Sequence, residues 1–479
     1  MIRPARRTFS PALSRRFSAL GALCAGLILI PLGLGAQAEP IPVPSAGAGG
    51  EGDSTADRPG ASDPLAELVE EALRANPEIH RARSLEQAQQ ARIPQAGTLP
   101  DPTLSAGLMD LPVPDMDLSA EGMTMFSIQV GQRFPAPGVR GAREERARAL
   151  ADADAARTER VRWSVATRLQ EAYFALLEVE EAVMVHHRTH AALEAYARSA
   201  ESSYAQGIVP QQDILRAHAE LVRIEDHLVE LRERRGRALA QVNALLGRPS
   251  RTPVQLSVPP RVEALLGAEP DAGFLTSHLT DVELGEAFPT LAELQEEALR
   301  RRPEIEEARH RSKAARSAVR EARSERWPGI SVTGGYGLRS GRRDMLSLGV
   351  SVELPVFRGR KQDQAVLEAE HLLGADERAQ EVSALDVERE VAEAHAELVR
   401  LREQILLLDE GIVPQARATV TSAAAAYGTG EGSFVGLMEA QSVLYRYEIE
   451  RAHLVADMGR KLVRLEMAVG MELHPEENR

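Results

Sequence analysis

The sequence predicts an α+β membrane protein: a tandem-repeat protomer of long coiled-coil α-helices plus four β-strands. Three observations point there. The segment Leu65-Ala66-Glu67-Leu68 through Asn76-Pro77-Glu78-Ile79 returns as Leu291-Ala292-Glu293-Leu294 through Arg302-Pro303-Glu304-Ile305, and the register runs on without a gap to Pro102 and its counterpart Pro328. Two copies of one structural unit are therefore expected. The stretches from Gly141 to Ala205 and from Arg360 to Tyr427 contain one proline, Pro414. A helix of ~65 residues rises ~98 Å, a length that a coiled coil or bundle accommodates. Finally, four short segments alternate apolar and polar residues, which puts one face of each strand in an apolar medium and the other in a polar one.

In chain order, residues 1–38 read as a secretory signal peptide. Arg3, Arg6, Arg7, Arg15 and Arg16 precede an apolar run from Phe17 to Leu34 and the small-residue site Ala36-Gln37-Ala38, with cleavage expected after Ala38. Cys24 is the only cysteine and sits between Leu23 and Ala25-Gly26-Leu27-Ile28, a setting that does not suit lipidation. A mature chain without cysteine excludes disulfides and thiolate chemistry. Its formal charge moves from −14 to about −19, which disfavours nucleic acid as a partner. No apolar stretch of the ~20 residues a membrane helix needs survives cleavage, so any membrane crossing has to be made with strands.

Residues 39–62, rich in Pro, Gly, Ser and Ala, have the composition of a flexible leader. The first repeat is expected over 63–247, with a helix from Pro64 to Gly97, strands near 102–110 and 124–134, a long helix over 141–205 and a return helix over 209–246. Residues 248–289, with Pro249, Pro253, Pro259, Pro260 and Pro270, form the linker between repeats. The second repeat, 290–470, is expected to hold a helix from Thr290 to Arg326, strands near 329–338 and 345–354, a long helix over 360–427 and a return helix over 433–469, with a tail at 471–479. Coiled-coil seams follow steps of three and four: Val387, Val391, Ala394, Leu398, Leu401, Ile405 and Leu408 on the long helix, and Ala217, Leu221, Ile224, Leu228 and Leu231 on the first return helix. Leu437, Ala440, Leu444, Tyr447, Leu454 and Met458 do the same on the second return helix.

Four strands cannot close a barrel, and an open sheet in lipid leaves its edges unpaired. Several copies contributing four strands each solve this, so the sequence asks for a homo-oligomeric channel. The order of signal peptide, Pro-Glu-Ile helix, strand pair, long helix, Tyr-x-x-Gly turn and return helix, given twice, resembles the TolC family of outer-membrane efflux factors. Leu99-Pro100-Asp101-Pro102-Thr103-Leu104-Ser105 and Phe134-Pro135 through Gly138-Val139-Arg140-Gly141 most resemble its heavy-metal-efflux (CzcC/CusC-like) branch. The resemblance implies a homotrimer in the outer membrane with a long periplasmic extension. It also implies a trimeric β-barrel/α-barrel channel, an equatorial place for residues 248–289, and docking at the helix tips to a periplasmic adaptor protein and an inner-membrane pump of the resistance-nodulation-division type. The implied function is passive export of metal ions or small toxic compounds. A type I secretion duct for proteins or peptides and a soluble periplasmic coiled-coil scaffold are the alternatives.

The resemblance also nominates residues. Tyr204, Gly207, Ile208 and Val209, with Gly430, Val435 and Leu437, match the tip turns where an adaptor docks. Asp213 and Tyr427 fall where a hydrogen-bonded gate closes the periplasmic end, and Glu439 where a carboxylate ring attracts cations. Gly432 and Gly436 stand in place of a gate arginine and a lumen aspartate. From the residues alone, Met109, Met116, Met123 and Met125 form a thioether-rich loop suited to Cu(I) or to plain packing at a barrel rim. His186 and His190 have a chelating spacing, with His187 beside them, but no third ligand nearby in sequence. No phosphate loop, His-Glu-x-x-His or nucleophile elbow is present, so neither an enzyme nor a cofactor is expected.

Overall fold

The computed structural model describes residues 63–111, 123–267 and 288–473. The expected signal peptide with Cys24, the leader, Met116, part of the linker and the end of the tail lie outside these residues. The first copy runs α1 (Pro64–Ala75), α2 (Pro77–Gly97), β1 (Thr103–Met109), β2 (Met125–Phe134), α3 (Val139–Ala205) and α4 (Gln211–Leu246). After α5 (Pro260–Gly267) in the linker, the second copy runs α6 (Leu291–Arg301), α7 (Pro303–Ser324), β3 (Ile330–Leu338) and β4 (Met345–Val352). It ends with α8 (Gln362–Leu406), a π-helical turn (Leu407–Ile412), α9 (Val413–Gly428) and α10 (Phe434–Val469).

The single opening helices expected from Pro64 to Gly97 and from Thr290 to Arg326 are each broken in two. Pro77 and Pro303 start the second pieces, and a residue before proline is driven out of the helical region. Asn76 accordingly has φ −69 and ψ 126, and Arg302 φ −64 and ψ 127. Asn76 uses the break twice: its side-chain oxygen accepts from the Glu78 N–H at 2.8 Å, and its amide donates to the Leu245 carbonyl at 2.9 Å. Arg302 instead pairs with Glu304 at 3.1 Å and with Glu390.

The α3 helix of 67 residues rises ~100 Å unbroken. Near its start it is tied to α7 by Arg143 to Glu321 at 2.6 Å, and farther along it packs on α4 and α10. Its counterpart is not one helix. Pro414 has no N–H to give, and its ring excludes the carbonyl one turn back. The wider turn at Leu407–Ile412 absorbs this misfit before α9 begins. Asp409 on that turn accepts from Arg451 of α10 at 2.9 Å.

The expected seams are the buried faces. Val387, Val391, Leu398, Leu401, Ile405 and Leu408 sit in one continuous core with Leu444, Leu454 and Met458. In the same core the Tyr173 hydroxyl donates to the Ser257 carbonyl and accepts from the Ser257 N–H, both at 2.8 Å, which pins the linker to α3. Gly459 of α10 provides the seat for the Phe174 ring, because a Cβ there would lie 2.3 Å from a ring carbon. The helices pack side by side in the order α4, α3, α10, α9.

The strands form one antiparallel sheet in the order β1-β2-β3-β4. Registered neighbours share a face: Leu104 with Val130, Ile128 with Tyr336, Val332 with Val350, and Tyr336 with Leu346. The opposite face carries Thr103, Ser105, Ser127, Gln129, Thr333, Ser347 and Ser351. The apolar face is left open. Leu346 is 83% exposed, Leu348 81% and Val350 64%. Among the described residues, the outer edges of β1 and β4 have no partner strand.

Candidate functional site

Two places combine exposed apolar surface with chain reversal: the helix tips and the sheet. At the tips, α3 and α9 end in the same way. The Gly207 N–H donates to the Tyr204 carbonyl at 2.8 Å and the Ile208 N–H to Ser203 at 2.9 Å. The Gly430 N–H donates to Tyr427 at 3.1 Å and the Glu431 N–H to Ala426 at 3.0 Å. These paired bonds are Schellman endings, which require a left-handed residue. Gly207 and Gly430 supply it at φ 74 and φ 76. Nothing lies within 4 Å of where a Cβ would sit at either, so backbone conformation rather than crowding selects glycine.

A small second core joins the two turns. Tyr427, Phe434 and Leu437 pack with Ala197, Ala200 and Ala217, and Val209 and Ile214 cover them. The Tyr427 and Phe434 rings lie 5.4 Å apart at 60°, the tilted geometry that aromatic pairs favour. Ser433 caps α10 by accepting from the Gly436 N–H at 3.1 Å. Leu437, expected at the docking surface, is therefore an interior residue at 1% exposure. Tyr204, Ile208 and Val435 are exposed.

The expected hydrogen bond between Asp213 and Tyr427 is not made within the chain. Asp213 is buried and near enough for its charge to act, because burial and then the Asp213 carboxylate push the Tyr427 phenol above its usual pKa. The Tyr427 hydroxyl nonetheless has no hydrogen-bond partner among the described residues. Glu439 is exposed. Gly432 is more than the missing arginine: a Cβ there would meet the Tyr427 amide nitrogen and the Ala426 Cβ at 2.9 Å. Its N–H donates to the Ala426 carbonyl at 2.8 Å, so the turn itself needs the glycine.

The histidines do not chelate. His186 is buried, with Nδ1 2.7 Å from the Ala182 carbonyl oxygen and Nε2 2.7 Å from the Tyr445 hydroxyl. Burial holds its pKa below the ordinary imidazole value. His190 faces Glu225 at 3.6 Å and Glu194 at 3.8 Å, and His187 is exposed. Among the described residues, no group of three His, Cys, Asp or Glu side chains is placed to hold a metal ion.

At the sheet, Met109 stands opposite Met125 on the polar face. Met345 joins them from β4, opposite Gly337. Sequence inspection missed Met345 because it belongs to the other repeat, and only the β2–β3 register brings it close. Met123 is exposed in the turn before β2.

The outer membrane efflux protein family model matches residues 68–248 and 294–471, which takes in both copies of the helix, strand-pair, helix and tip pattern. The chain belongs to this family. Among solved structures, CusC matches with a TM-score of 0.69 at 19% identity, covering 85% of this chain and 92% of that one. The outer-membrane channel OprN matches at 0.68 and 20% identity, covering 85% and 90%. The outer membrane protein VceC from Vibrio cholerae matches at 0.68 and 18% identity, covering 86% and 97%. At these identities the likeness is one of fold. No curated protein matches the chain significantly in sequence. Family members are outer-membrane efflux proteins, which makes this chain a transport protein rather than an enzyme. Among the described residues no helix is long and apolar enough to cross a membrane.

Proposed function

We propose that three copies of this chain form an outer-membrane duct, with a closed twelve-stranded barrel in the membrane and a helical barrel in the periplasm. The observation that carries this reading is the sheet with an apolar face open along Leu346, Leu348 and Val350 and two edges unpaired among the described residues. Such a sheet is tolerable in lipid only when β4 of one copy pairs with β1 of the next. The helical row repeats the logic. Leu215, Val222 and Val229 on α4 are exposed at heptad spacing, which suits a seam against a neighbouring copy. A soluble periplasmic scaffold would leave both surfaces in water.

The tips form the periplasmic mouth of this duct. Tyr204, Ile208 and Val435 offer exposed apolar side chains beside the two Schellman turns, and Gly207, Val209 and Gly430 hold those turns in shape. A periplasmic adaptor would dock there and link the duct to an inner-membrane pump of the resistance-nodulation-division type. Asp213, Tyr427 and Glu439 line the same level and form the gate region, in which the shared apolar core of both turns does the closing. The cargo is a metal ion or a small toxic compound, in keeping with the heavy-metal-branch segments around Pro100 and Pro135. Detergent-extracted protein should have the mass of three chains and insert as discrete conducting units in planar bilayers. A monomer without channel activity would overturn the reading.

A further inference from the structure

We propose that the hairpin end of the sheet's polar face is a binding site for a soft monovalent cation, Cu(I) or Ag(I), held by the thioethers of Met109, Met125 and Met345. The polar face is otherwise built of Ser, Thr, Gly, Gln and Arg. Three methionines gathered at one end of such a face are out of keeping with a plain water-lined wall. Their placement is specific. Met109 and Met125 are direct cross-strand partners, a relation that brings Cβ atoms within ~5.5 Å. Gly337 lies between Met125 and Met345 and has no side chain to separate them: the Met125 sulfur already occupies the space 2.5 Å from where a Gly337 Cβ would be. Met345 is the registered partner of that glycine on the far side. Three strands thus deliver thioethers to one patch, and the fourth strand is hollowed to let them meet.

The surroundings favour sulfur as the donor. The Asp344 carboxylate accepts from the Tyr336 hydroxyl at 2.8 Å and from the Arg339 N–H at 3.3 Å, so it is already engaged. The Arg339 guanidinium donates to the Arg343 carbonyl at 2.9 Å within the same hairpin. The Gln129 amide lies 3.8 Å from the Met109 sulfur, a weak contact that orients the thioether and yields to a metal. Neutral thioethers bind soft d10 cations and are poor ligands for Mg²⁺, Ca²⁺ or Zn²⁺. In the closed barrel the polar face lines the lumen and the hairpin ends form the outer mouth. The placement at a mouth, and cargo as the identity of the ion, rest on the reading of the protein as an efflux duct; the thioether cluster itself does not.

The test is titration of the full chain in detergent with Cu(I) under anaerobic reducing conditions, against a chromophoric Cu(I) chelator, with planar-bilayer recordings on the same preparations. Wild type should bind Cu(I) with sulfur-only coordination in X-ray absorption, and Zn²⁺ should not compete. Met109→Leu, Met125→Leu and Met345→Leu should each weaken binding by about tenfold and the triple variant should abolish it. Met184→Leu, at an exposed methionine of α3, should bind as wild type. Gly337→Ala keeps every sulfur but displaces that of Met125, and should weaken binding as a single Met variant does. Undiminished binding in the triple variant, or nitrogen and oxygen coordination, overturns the site. A preparation that conducts but binds no Cu(I) overturns the site and leaves the duct standing, whereas one that binds Cu(I) but never conducts overturns the duct reading alone.

Discussion

Tyr427→Phe removes one hydroxyl from the core that joins the two helix tips, and its sign separates two ways of holding the tips closed. The hydroxyl is buried and has no hydrogen-bond partner among the described residues. A buried polar group left unpaired costs about 1–3 kcal/mol, which its removal returns. The ring, with its contact to Phe434 at 5.4 Å, stays. The variant should therefore be neutral or stabilised by up to about 1–3 kcal/mol. Phe434→Ala acts on the same core in the opposite sense. Phe434 is 1% exposed, and its truncation should cost about 3 kcal/mol, the low end for a buried aromatic because a small cluster near solvent can collapse. Amide exchange over residues 423–438 and single-channel conductance, measured side by side, read both effects. Tyr427→Phe should leave both at wild-type values or slow exchange, while Phe434→Ala should speed exchange and raise conductance. A rise in conductance in Tyr427→Phe equal to that in Phe434→Ala would refute apolar closure and assign the hydroxyl a gating bond to another copy.

Further predictions concern three positions. Gly432→Arg should not restore a gate: its Cβ would press on the Tyr427 and Ala426 backbone, so the second tip should lose exchange protection while the first keeps it. Gly459→Ala should lower the unfolding temperature, because a methyl 2.3 Å from a Phe174 ring carbon forces repacking in the main core at about 1–3 kcal/mol. Glu466 is buried beside Arg261 at 3.2 Å, and burial, opposed by that arginine, raises its pKa to about 7 from 4.5. Between those values only the folded state holds the proton, so the carboxyl's contribution is full below about 4.5 and lost as pH rises through about 7. Denaturant titrations of wild type should show this decline by up to about 1.4 kcal/mol per pH unit, and Glu466→Gln should remove it.

Much of the architecture was legible because it rests on periodicity. The seam from Val387 to Leu408 and the strand alternation around Leu348 and Ser347 are one-dimensional patterns that burial and register translate directly. The repeat at Pro77 and Pro303 was legible too, but the break it makes was not: a proline inside a helical pattern breaks it where the preceding residue is free to turn, as Asn76 and Arg302 do. Pro414 did not break its helix outright, because a π turn absorbed it, and nothing local to residues 407–412 signals that choice. At the tips, Gly207 and Gly430 were readable as turn residues. The interior place of Leu437 and the unpaired Tyr427 hydroxyl were not, since both follow from packing between two hairpins far apart in sequence. Met345 was invisible for the same reason.

In the proposed duct the face bearing Val350 meets lipid and the face bearing Ser351 meets water. Arginine at a lipid-facing strand site near the bilayer midplane costs about 2–4 kcal/mol, while one on a lumen face is tolerated. The direct measurement is the yield of heat-modifiable oligomer in outer membranes for Val350→Arg and Ser351→Arg. Val350→Arg should assemble poorly while Ser351→Arg should assemble as wild type. Equal yields from the two variants would contradict it.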